Sequence, residues 1–85
     1  MPFLLPKVVT QANALQLQKD GLLNSSNLRS IDCSQLTDFD STVLTVLLAW
    51  QKKLKSEGQS ISVENAPKKL KVLAGVYGVA ALLGL

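Results

Sequence analysis

Between Ser41 and Gly58 the apolar positions fall on a helical stripe. Val43, Leu44, Val46, Leu47, Leu48, Trp50 and Leu54 recur at spacings of three, four and seven, the period of one buried helix face. Asp40 or Ser41 stands where an N-cap belongs, and acid is favoured at the positive end of a helix dipole. Lys52, Lys53 and Lys55 suit the negative end, and Gly58 fits just beyond it. On either side the period shortens to two. Lys7–Gln11 and Ala14–Gln18 read as short strands around a turn at Ala12-Asn13, and Lys19-Asp20-Gly21 reads as the next turn. Leu22–Asn27 reads as a polar loop of poor helix formers. Leu28–Cys33 follows as a third strand and Ser34–Asp38 as the connection to the helix.

Beyond Gly58, Ser60-Ile61-Ser62-Val63-Glu64 alternates cleanly and predicts another strand. Pro67 fits the first position of a helix running toward Tyr77, with Gly78 just past its end. Val79–Leu83 is an apolar tail, strand or helical turn. The order β-β-loop-β-α-β-α-tail contains a strand–helix–strand unit, which implies a right-handed parallel crossover and helices covering a sheet.

Composition narrows the chemistry. At 85 residues the chain is expected to form one domain over 1–85. Nearly half of it is apolar and fewer than a fifth charged, so it is globular rather than disordered. It has no histidine and one cysteine, Cys33. The commonest general base is therefore missing, no internal disulfide can form, and the usual zinc spacings are ruled out. Cys33 falls in a predicted strand, where an inert buried thiol is expected. Asp38 and Asp40 are near neighbours, but nothing beside them completes a catalytic site, and no phosphate-binding glycine loop exists. We expect no enzyme activity, no cofactor and no metal. Trp50 lies on the apolar stripe and is expected in the core; Tyr77 could sit in the core or at its rim.

The net charge of +3 is uneven. Residues 1–50 carry Lys7, Lys19 and Arg29 against Asp20, Asp32, Asp38 and Asp40. Residues 51–85 carry Lys52, Lys53, Lys55, Lys68, Lys69 and Lys71 against Glu57 and Glu64. A basic half of this kind solvates outer helix faces or meets an anionic partner. The opening Met1–Pro6 lacks a basic leader and a small-residue cleavage site, so no signal peptide is expected. The uncharged run Val72–Leu85 is shorter than the roughly 18–20 residues that cross a bilayer.

Ile31-Asp32-Cys33-Ser34-Gln35-Leu36-Thr37-Asp38-Phe39-Asp40-Ser41-Thr42-Val43 resembles the central segment of STAS domains, the family of bacterial anti-sigma-factor antagonists. That family has a strand ending in Asp-Leu-Ser and then Asp-Ser-Ser-Gly-Leu or Asp-Thr-Gly-Gly-Leu opening a long apolar helix. Asp32-Cys33-Ser34 and Asp40-Ser41-Thr42-Val43-Leu44 resemble these two elements. Asn65-Ala66-Pro67 and Leu73–Val79, with its Leu-Ala-x-x-Tyr text, resemble the later ones, and within the family the likeness is to the MlaB group. It covers residues 28–83 well and residues 8–22 weakly. Two features depart from the pattern. The family's helix of some 20 residues between its second and third strands is missing, and Leu22–Asn27 cannot supply it. The glycine usual after the Asp-Ser/Thr pair is replaced by Thr42 and Val43, which tolerate unusual backbone poorly.

The resemblance implies an α/β fold: a small STAS-like sandwich, with a mixed β-sheet, helices packed on one face and the first family helix missing. It also implies a non-catalytic accessory subunit. Such a subunit binds the cytoplasmic ATPase of a phospholipid ABC transporter that keeps outer-membrane lipids asymmetric. By the same likeness the partner-binding residues are Asp40, Ser41, Thr42 and Leu44, and Ser41 aligns with the position phosphorylated in anti-sigma antagonists. The bland alternative is that Ser41 merely caps the helix. Two other readings remain at this point. One is a phospho-switched antagonist that binds an anti-sigma kinase through Ser41. The other is a peripheral membrane protein using its basic half and uncharged tail. The expected place is the cytoplasm, at the inner membrane through the partner, without a membrane span or nucleic acid; a sheet face left bare would invite a homodimer.

Overall fold

A computed structural model describes residues 3–23 and 29–85. It is α/β. The elements are β1 (Phe3–Leu4), β2 (Val8–Val9), α1 (Ala14–Leu23), β3 (Ile31–Asp32), β4 (Asp38–Phe39), α2 (Thr42–Ser56), β5 (Val63–Glu64), α3 (Lys68–Val76) and α4 (Ala80–Leu83). One sheet has the order β1-β3-β5 and a second pairs β2 with β4. Every pairing among the described residues is parallel, which corrects the mixed sheet expected from the resemblance. Each strand is followed by a helix or joins its neighbour through one, and such crossovers produce parallel pairs.

The two sheets are one interrupted ladder. Phe3 and Leu4 pair with Ile31 and Asp32, and Val8 and Val9 pair with Asp38 and Phe39. Between them residues 5–7 face the longer stretch 33–37. Pro6 has no N–H to donate, so the ladder breaks there. The Lys7 carbonyl then accepts from both Thr37 (2.9 Å) and Asp38 (3.0 Å). The slack in the longer strand turns Cys33 and Leu36 into the core. It also delivers Asp40, whose N–H reaches the Val9 carbonyl at 3.3 Å, to the sheet's end where α2 begins.

α2 keeps the predicted stripe. Val43, Leu44, Val46, Leu47, Trp50 and Leu54 are buried, and Lys53 and Lys55 lie in the last turn. β1-to-β3 and β3-to-β5 step the same way across the sheet, so right-handed crossovers put α1 and α2 on one face. They pack against each other there. Trp50 fixes the joint: its indole N–H donates to the Gln18 carbonyl at 3.1 Å, and its ring meets Phe3 edge-on at 5.1 Å.

α1 is the main correction. Ala14–Gln18 was expected to be a strand, and the turn at Lys19-Asp20-Gly21 was expected to follow it. Both lie in one ten-residue helix. Five alternating residues are too few to outweigh Ala, Leu, Gln and Lys, which are all good helix formers. The pattern that counts is Ala14, Leu17 and Gly21 at spacings of three and four; Leu17 and Gly21 are buried. Gly21 is inside the helix because the Trp50 indole lies against it, where any Cβ would overlap the ring. α1 thus occupies the place of the helix expected to be missing. Of the predicted polar loop, Leu22 and Leu23 are helical; residues 24–27, and Leu28 of the third strand, lie outside the described residues.

The other predicted strands are shorter than expected, and β1 and β4 were not foreseen. The tail resolves as a helical turn, α4. It is tied to α2 by the Gln51 side chain, which donates to the Leu82 carbonyl at 2.7 Å and accepts from the Ile61 N–H at 2.9 Å.

Candidate functional site

The site is built where β4 runs into α2. Alternation along β4 buries Phe39 and leaves Asp38 and Asp40 exposed on either side of it. Lys69 of α3 stands over the Phe39 ring, 5.6 Å from its centroid. The Asp40 carboxylate then turns toward the helix start: one oxygen accepts the Thr42 N–H at 2.9 Å and also the Thr42 hydroxyl. Those bonds hold the Asp40 carboxyl below the ordinary aspartate range, the Thr42 side chain contributing most.

This arrangement decides which residue caps the helix. An N-cap side chain accepts from the N–H two or three residues on. Asp40 does so, and its carbonyl also accepts from the Val43 N–H at 3.1 Å. Ser41 already has helical backbone (φ −63°, ψ −14°), and its side chain makes no capping bond. Its hydroxyl is exposed and uncommitted to the cap. The bland role for Ser41 is therefore taken by its neighbour.

The same geometry explains the absent glycine. The first turn of α2 needs no positive φ, and among non-glycine described residues only Asn65 has one (55°). Thr42 and Val43 sit in an ordinary helix start, Thr42 half-buried and bonded to Asp40, Val43 in the core. Leu44 is buried as well, only 4% exposed.

Beside Ser41 lies a shallow groove that the sequence does not announce. Ser41, Leu44, Thr45 and Leu48 of α2 line one wall, and Tyr77 and Val79 of the α3–α4 corner line the other. Leu44 thus offers only its edge, from inside. Tyr77 is 58% exposed, and its neighbour Val76 is 77% exposed. Even their nearest members, Leu48 and Tyr77, are twenty-nine positions apart in the chain, so no local motif marks the two walls. The sole sequence signal is an apolar run on α3 that continues past the residues needed inside.

Asp32-Cys33-Ser34 is a structural neighbour of the site rather than part of it. The Asp32 carboxylate accepts from the Ser34 N–H (2.9 Å) and the Asn65 side chain (3.1 Å). These bonds lower its pKa. They tie the end of β3 to the turn after β5. Cys33 is buried, and desolvation, with the Asp32 charge, pushes its thiol up to about 12. It is a packing residue without a reactive thiolate at neutral pH. Among the described residues no group of three or more His, Cys, Asp or Glu side chains could hold a metal ion. None of the described helices is long and apolar enough to cross a membrane.

Compared with known protein families, the chain matches the model described as "Mlab, STAS domain" over residues 7–84. No curated protein matches it.

Proposed function

The chain belongs to the MlaB-type STAS family, and from that premise we propose that it is an accessory subunit of a phospholipid ABC transporter. STAS domains are in general binding domains rather than catalysts. In this reading the domain docks on the transporter's cytoplasmic ATPase, stands at the inner face of the inner membrane through that contact, and helps keep outer-membrane lipids asymmetric. It acts by favouring one ATPase conformation, as any ligand with differential affinity does.

The observation that carries this reading is the division of labour at the start of α2. Asp40 and Thr42 fix the helix end, which frees the exposed Ser41 hydroxyl for a hydrogen bond across an interface. Beside it Leu44, Leu48, Tyr77 and Val79 offer apolar area. A polar contact next to an aromatic-lined hollow is the usual anatomy of a protein interface.

A second reading rests on the same hydroxyl. Phosphorylated, Ser41 would gain about −1.5 to −2 charge beside the exposed Asp38 and Asp40. That charge would switch a partner on or off. Affinity purification of tagged protein from native membranes, run beside Ser41→Glu, separates the two. Recovery of a transporter ATPase that is lost with Ser41→Glu supports the accessory subunit. Recovery of an anti-sigma kinase instead, with a phosphate-sized mass shift on Ser41, establishes the switch and overturns the first reading.

A further inference from the structure

The outer face of α1 and α2, on the far side of α2 from the Tyr77 groove, is not used by the proposed partner contact. α1 has apolar residues on both sides. Leu17 and Gly21 point inward, whereas Leu15 and Leu22, seven residues apart and so on one stripe, remain 65% and 38% exposed. Leu23 next to them is 84% exposed. An ordinary amphipathic helix has no reason to keep such a second stripe.

The lysines lie on the same side. Lys19 falls between Leu15 and Leu22 on α1 and is exposed. Across a shallow trough lined by Gln18, Leu22, Ala49 and Ser56, α2 contributes Lys52 and Lys53, both exposed. Lys53 is 3.5 Å from Glu57, which offsets part of its charge. The nearest acid on α1, Asp20, belongs to the other side, where it lines a hollow with Pro6, Asn13 and Gln16. Among the described residues the face is therefore leucine and lysine beside the uncharged Gln18, Ala49 and Ser56, with one acid, Glu57.

We propose that this face docks on an anionic lipid bilayer, Leu15 and Leu22 entering the headgroup boundary and Lys19, Lys52 and Lys53 meeting the lipid charge. Leucines in a row with lysines to each side match a plane that is apolar below and negative above. The charge complementarity is with phosphate-bearing lipid, and the contact is weak and reversible because few residues enter.

Co-sedimentation of the intact chain with phosphatidylcholine vesicles, with and without phosphatidylglycerol, tests it. Binding is expected only with phosphatidylglycerol and is expected to fall as salt rises. Lys52→Glu with Lys53→Glu should weaken it roughly 25-fold or more, at about fivefold per lysine removed. Leu15→Ser with Leu22→Ser should abolish it, and unchanged circular dichroism and melting would show each variant folded. Ser41→Glu should bind vesicles as the native chain does, so this test and the ATPase test fail separately. No sedimentation with either vesicle, equal sedimentation with both, or full binding by either folded double variant would overturn the proposal.

Discussion

α2 has two flanks, and they are finished differently. On one, α1 closes tightly against it at the core: Gly21 lies against the Trp50 indole, whose N–H is satisfied by the Gln18 carbonyl, and Phe3 meets the ring from the sheet. On the other, the α3–α4 corner is anchored by buried Leu70, Ala74 and Leu83 and by Gln51, yet it stops short of α2 near Ser41 and leaves Tyr77 and Val79 lining a groove. The first flank holds the fold together. The second leaves apolar area unburied beside an uncommitted hydroxyl. Mutations on the two flanks should therefore separate stability from binding.

The largest effect is expected at the closed flank. Trp50 is fully buried. Trp50→Ala should cost about 3–5 kcal/mol, out of the roughly 4–13 kcal/mol available to a domain of this length. Chemical denaturation should show the midpoint moved far below that of the native chain. Gly21→Ala is the finer test. Helix propensity alone favours alanine by about 1 kcal/mol, but the added methyl has no room beside the indole. If packing decides, the variant loses roughly 1–3 kcal/mol; a gain in stability would show that the joint is looser than described. At the open flank, Tyr77→Ser should change stability by about 0.5 kcal/mol at most, while it weakens recovery of the partner.

These flanks also show what the sequence could and could not convey. α2 was legible because its apolar stripe recurs at helical spacing from Val43 to Leu54 and is followed by lysine and glycine, all consistent with one element. α1 was misread because Gly21 looks like a turn and five residues alternate by chance. The cause of Gly21, the indole of Trp50, lies twenty-nine positions away. β1 and β4 were missed because, unlike the other two-residue strands, neither lies within a longer run that reads as a strand. At the site, Asp40, Ser41, Thr42 and Leu44 form one legible run, but their roles were not legible. Whether Asp40 or Ser41 caps depends on backbone angles, and Leu44 turned out to be nearly all core. Tyr77 and Val79 join the site only because α3 and α4 fold back along α2.

A smaller effect tests the cap itself. Asp40 has a folded pKa below its ordinary value of 3.8, so its contribution is complete above that range and is lost as pH falls through it. Asp40→Asn should flatten the acid side of the stability profile measured by thermal melts. It should not abolish the slope, because Asp32 is shifted in the same direction by its bonds to Ser34 and Asn65. An unchanged profile would mean that the carboxylate does not hold Thr42 in solution.

The smallest effect expected on stability is the most discriminating. Serine at an N-cap is normally worth about 1 kcal/mol against alanine, which would lower the melting temperature by roughly 4–8 °C in a domain of this size. Ser41, however, lies inside the helix start, and the capping bond comes from Asp40. Ser41→Ala should therefore melt with the native chain and, on the proposed reading, still lose affinity for the partner, because the exposed hydroxyl takes no part in the cap. Loss of both together would return Ser41 to a structural role. Loss of neither would move the binding contact away from the start of α2, toward the Tyr77 wall of the groove.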